Sequence, residues 1–149
     1  MTSLSDFGES DYEAVPIIPA GTYRGSVQAT DVDEDKAQIV IAIALNGNGG
    51  MLSDGKTLVD GSVVKHRLFL PREEDEVTPT ASGKQTKAAW KKNTLIDFMK
   101  DNGITPVNRD HLLEVMSTGE FCGRNVKITT ELEPYQGQVM ERVKTFEVV

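Results

Sequence analysis

Cysteine is nearly missing from this chain. Cys122 stands alone, so no internal disulfide can form and packing must hold the fold together. Histidine occurs only at His66 and His111, neither with a second histidine or cysteine at ligand spacing, which leaves a zinc site nothing to be built from. No apolar run approaches the roughly 20 residues of a membrane-spanning helix. The opening MTSLSDFGESDYE is acidic where a secretory leader is basic and then apolar. These absences point to a soluble protein of a reducing cytoplasm, with Cys122 a buried, inert thiol.

Net positive charge is missing too. The formal charge is −7, but it is unevenly spread. Residues 1–35 carry eight acids against one base, Arg24, while the remaining 114 residues balance fifteen acids with fifteen bases. Any cationic surface must therefore be a local patch made by folding.

What the chain does contain is alternation. Residues 1–18 are polar, acidic and without period, and read as a flexible arm; residues 19–149 read as one domain. Residues 21–30 alternate, with Tyr23, Val27 and Ala29 on one side and Arg24, Ser26, Gln28 and Thr30 on the other. Ile39, Ile41, Ile43 and Leu45 mark the inner side of a second strand, and residues 62–70 a third, stopped by Pro71. A polar connector over 71–83 leads into a helix over about 84–102, closed by Gly103, and a shorter helix over 108–116 with Asn108 as its cap. Strands over about 124–132 and 138–148 flank the turn residues Glu133-Pro-Tyr-Gln-Gly137. The order predicts a mainly β fold: a small five-stranded OB-type barrel with one or two helices inserted between the third and fourth strands.

Gly50-Met-Leu-Ser-Asp-Gly-Lys-Thr57 matches the phosphate-loop pattern letter for letter. A phosphate loop needs a helix starting at its Lys-Thr, so that backbone N–H groups and the helix N-terminus meet the phosphates. Here Gly61 follows within a few residues and a strand after it, which leaves no room for that helix. Asp54-Gly55 and Asp60-Gly61 instead read as two turns. The acidic run Glu73-Glu-Asp-Glu76 reads as solvated surface, and the Asp31–Asp35 region lacks the spacing of a calcium loop. Nothing calls for a cofactor, a metal or catalysis.

Reading the strands by parity collects bases on one side. Lys65, Arg67 and Phe69 oppose Val64, His66, Leu68 and Leu70, with His66 expected to be hydrogen-bonded and partly buried. Lys127 and Thr129 oppose Val126, Ile128 and Leu132, while Arg142, Lys144 and Phe146 oppose Val139, Val143 and Val149. Together with Arg24, Arg72 just past the third strand, and Tyr135 at the hairpin tip, these form the candidate DNA-binding set: Arg24, Lys65, Arg67, Phe69, Arg72, Lys127, Tyr135, Arg142 and Lys144. Bases interleaved with rings suit single-stranded nucleic acid, cations meeting phosphates and rings stacking on unpaired bases. Alternating bases are also an ordinary solvated strand face, and Phe69 or Phe146 could belong to the core. In the first helix Lys84, Lys87, Lys91 and Lys92 precede any acid, Leu95, Phe98 and Met99 form the apolar stripe, and Trp90 is expected to pack at its edge.

Pro19-Ala-Gly-Thr-Tyr23 leading into a strand, the Lys-rich helix with Leu95 and Phe98, and Cys122-Gly-Arg-Asn-Val-Lys-Ile-Thr129 before a closing hairpin resemble small bacteriophage OB-fold single-stranded-DNA-binding proteins of replication and recombination modules. The resemblance spans about residues 18–148. It implies coating of single-stranded DNA without base-specific readout, in the cytoplasm of an infected host, with phage or host replication proteins and further copies of the chain as partners. It carries over to Arg24, Lys65, Arg67, Phe69, Lys127 and Tyr135. One departure is that such proteins often end in an acidic tail, whereas this sequence ends Lys144-Thr-Phe-Glu-Val-Val149 and is acidic at its start. Residues 1–15 are therefore expected to imitate DNA charge and screen the basic face. A virion structural or assembly protein, or an acidic DNA mimic that inhibits a host protein, remains compatible with the sequence.

Overall fold

The structure is a computed structural model that describes Gly8 and residues 15–149. Most of the expected acidic arm thus lies outside the described residues. Its last residues do not behave as an arm. Ile18 is buried, and the backbone of Ile17 exchanges bonds with Ser53 at 2.8 and 3.0 Å, so the folded unit begins before residue 19.

Five strands follow in the order β1 Gly21–Asp33, β2 Gln38–Leu45, β3 Val63–Phe69, β4 Asn125–Tyr135 and β5 Gln138–Val148. Two helices, α1 Lys87–Asp101 and α2 Arg109–Thr118, sit between β3 and β4 as expected. The sheet is antiparallel throughout, in the order β3-β2-β1-β4-β5. It is curled so that its outer strands β3 and β5 approach each other, but no ladder joins them. The expected barrel is therefore an open one. Among the described residues, no helix is long and apolar enough to cross a membrane.

Local chemistry explains the elements. In β2 every second residue is β-branched or leucine, and Ile39, Ile41, Ile43 and Leu45 are all buried. Removing each from water contributes about 1.5–3 kcal/mol, which fixes the register, since a one-residue slip would turn all four outward. Gly25 is required where β1 crosses β2. A Cβ there would lie 2.5 Å from the Ala44 carbonyl oxygen. Helix α1 starts at Thr86, whose hydroxyl accepts the Ala89 N–H, later than the expected start near 84 because Gly83 and Gln85 are held in a turn against Thr80. Asn108 caps α2 as expected, accepting the His111 N–H at 2.8 Å. The β4–β5 hairpin turns on Gln136 and Gly137, both at positive φ, the geometry of a two-residue hairpin loop.

Two bulges correct the strand parities. On β1 the register jumps at Gln28, so Thr30 turns inward, with its hydroxyl donating to the Met116 carbonyl at 2.6 Å, while Ala29 is exposed. On β5 the register jumps at Lys144, so Phe146 faces Ile128 on the inner side and not the outer side with Arg142 and Lys144. Each extra residue also bends its strand, and bending is what brings β3 and β5 together. Leu132, assigned inward by parity, lies past the end of the core and is exposed.

Candidate nucleic-acid interface

Strand β3 shows the expected alternation intact. Lys65, Arg67 and Phe69 are exposed, while Val64 and Leu68 are buried. Across the ladder these three face Ala42, Val40 and Gln38 of β2, so the two bases border the small side chains Ala42 and Val40. Phe69 is 49% exposed, unusual for a phenylalanine with a core beside it.

Where β3 and β5 approach, side chains take the place of the missing ladder. His66 stacks on Phe146 with centroids 5.5 Å apart and planes 14° from parallel, and Phe98 of α1 closes against both. Phe121 extends the cluster, and the Arg124 guanidinium lies 5.0 Å above its ring. Burial, with the Arg142 charge as a lesser cause, pushes the His66 imidazole down to about 4. It is therefore neutral at ordinary pH. Above this floor opens a cleft of about 400 Å³, walled by β3, β5 and α1.

Trp90 stands at this cleft and is 47% exposed, correcting the expectation that it packs as core. It was visible in the sequence only as a ring off the centre of the helical stripe. Its helix is held by a contact the sequence did not reveal. Asp75, in a 3-10 turn at Glu73–Glu76, is buried and pairs with Lys91 at 2.6 Å. The Lys91 ammonium and the Arg72 N–H hold the Asp75 carboxyl below its usual range. The run Glu73-Glu-Asp-Glu76 is thus not wholly solvated surface; one of its four acids is a structural anchor.

The nine sequence-derived residues do not form one wall. Arg67, Phe69, Arg142 and Lys144 line the cleft, with Lys65 next along β3. Arg24 and Lys127 are cross-strand partners on β1 and β4, two and three strands away from β3, and Lys127 is flanked on its other side by Glu147. Asn48 clamps the Arg24 backbone from both sides and is itself held by Asp60. Arg142 lies 3.7 and 3.5 Å from Glu131 and Glu133, which offset much of its charge. Arg72 sits apart at the start of the 3-10 turn, 3.9 Å from Glu74. Tyr135 ends β4, and its side chain lies outside the described residues. The strand order is the physical reason for the division, because β2 lies between β3 and the strand β1 that carries Arg24, and Lys127 lies one strand further on.

The segment that imitates a phosphate loop is a hairpin turn. Asp54 accepts the Lys56 and Thr57 N–H groups and the Thr57 hydroxyl, and the Thr57 bonds foremost hold its carboxyl down to about 2. Leu58 then pairs with Met51, and no helix follows. Cys122 is exposed, against the expectation of a buried thiol. Compared with protein-family models and with curated proteins, the chain matches none.

Proposed function

We propose that this protein is a non-catalytic single-stranded DNA-binding protein that coats exposed strands, in the manner of the phage replication and recombination proteins its sequence resembles. The reading rests on one observation. Lys65, Arg67 and Phe69 stand exposed in alternation along an edge strand, beside the small side chains of β2 and the exposed ring of Trp90. A base stacked on a ring contributes about 1–3 kcal/mol whatever its identity, and cations spaced along a strand follow the phosphates. In five-stranded barrels of this kind the outer face of the second and third strands is a common place for oligonucleotides. The second patch, Arg24 and Lys127, extends the footprint across the same face of the sheet.

A salt titration with a single-stranded oligonucleotide tests this. If Lys65, Arg67, Arg24 and Lys127 each meet a phosphate, log K falls with log salt at a slope of roughly −3, about 50-fold weaker binding for a fourfold rise in salt. Phe69→Ala weakens binding at every salt concentration, and Arg67→Ala reduces the slope by roughly 0.7. No binding at low salt refutes the reading. Self-assembly in its place would favour a virion structural role, and capture of a DNA-binding host protein would favour a DNA mimic.

A further inference from the structure

We propose that the cleft between β3 and β5 takes in one base of the bound strand, stacked against Trp90, and prefers bases that carry an exocyclic amine. This rests on the strand-coating reading and adds a specificity that coating alone does not require.

The cleft has two unlike walls. On the strand side Arg67 and Lys144 are exposed cations, and Lys144 is the bulged residue that the β5 register leaves over. On the helix side Asp97 and Asp101 sit one turn apart on α1, both exposed, and neither forms an ion pair among the described residues. The nearby Lys91 does not offset them, since its ammonium is committed to Asp75 at 2.6 Å. Between the walls the floor is aromatic, His66 stacked on Phe146, with His66 held neutral.

A nucleotide has the same asymmetry. Its phosphate is an anion at one end, its ring is a flat π surface, and its base edge can offer N–H donors at the other end. With the phosphate on the Arg67 and Lys144 side, the base lies over the floor beside Trp90 and its edge meets Asp97 and Asp101. A carboxylate accepts hydrogen bonds and cannot donate them, so it rewards the amines of cytosine, adenine and guanine. Thymine has no exocyclic amine, and its one ring N–H on that edge is flanked by two carbonyl oxygens, which a carboxylate repels. The volume, about 400 Å³, lies within the roughly 300–1,000 Å³ of small-molecule sites.

The test follows two signals in one low-salt titration of the full chain with dye-labelled oligo(dC) or oligo(dT) of about 12 nucleotides, a length within OB-fold site sizes. Dye anisotropy reports binding anywhere. Tryptophan emission reports the surroundings of Trp90, the only tryptophan, at the edge of the cleft, and the aspartate variants tie a change there to the cleft side of the ring. The expected result is quenching of Trp90 in step with anisotropy and binding of oligo(dC) at least about fivefold tighter than oligo(dT). The double variant Asp97→Asn, Asp101→Asn, at exposed helix positions, is expected to erase that preference. Rising anisotropy with unchanged emission overturns the cleft while leaving strand coating standing. Quenching that is equal for the two oligonucleotides overturns the amine preference. Neither signal moving overturns this proposal and the coating reading together.

Discussion

His66 offers a measurement that depends on the closure of the seam between β3 and β5 beneath α1. An ordinary histidine titrates at 6.5, whereas burial holds His66 at about 4 in the folded chain. The unfolded chain therefore takes up a proton that the folded chain refuses throughout this window. Stability must fall as pH drops from 6.5 towards 4, and it levels off once both states are protonated. Integrating that uptake gives a loss of about 2 kcal/mol between about pH 7 and pH 5, and about 3 kcal/mol in full. The charged groups around the imidazole are Arg67, Arg142 and Lys144 on the strands and Lys91, Asp97 and Asp101 on α1. Urea unfolding at the two pH values, on the native chain and on His66→Phe, measures the effect. His66→Phe keeps a ring against Phe146 but has nothing to protonate, so its stability is expected to stay nearly flat over that range. Equal pH dependence in the two proteins, or a His66 resonance titrating near 6.5, would refute the buried, neutral seam.

Three further outcomes are expected. Gly25→Ala should destabilise the fold by about 1–3 kcal/mol in urea, since its Cβ would meet the Ala44 carbonyl at 2.5 Å and backbone cannot step aside; an unchanged midpoint would mean β1 and β2 are not so closely packed. Lys91→Ala should lower the thermal midpoint clearly more than Lys92→Ala, because it strips the partner from buried Asp75 while Lys92 is exposed; equal losses would remove Asp75 as an anchor. Deleting residues 1–14, which carry four acids and no base, should tighten oligonucleotide binding at low salt and lose that effect at high salt, where screening takes over. Unchanged affinity would mean the acidic start does not compete for the basic face.

What the sequence disclosed, and what it hid, divides along the range of the interactions. Strand β2, the Asn108 cap and the Asp54 turn were legible because their causes lie within a few residues: alternation at period two, a side-chain oxygen three residues ahead of an N–H, an Asp before a Gly. Phe146 and Thr30 were placed on the wrong sides because a single unpaired residue, Lys144 or Gln28, inverts the parity beyond it and leaves no mark in composition. Asp75 looked solvated among its acidic neighbours. Its partner Lys91 stands sixteen residues away and meets it only after α1 has packed. Trp90 was misjudged because the helical stripe shows which residues face the core but not where a cleft leaves a flank open. The single basic wall foreseen from parity became two patches because parity assigns a face to each strand but not the order in which the strands lie side by side.

The join between β3 and β5 is made by ring faces, and this sets how it can respond to a guest. A ladder admits no small adjustment, because sliding or widening it strands paired backbone groups. Stacked rings hold no paired backbone groups between them, so the gap beside His66 and Phe146 can widen or narrow without breaking a ladder. A barrel zipped shut along the same line would have no such give.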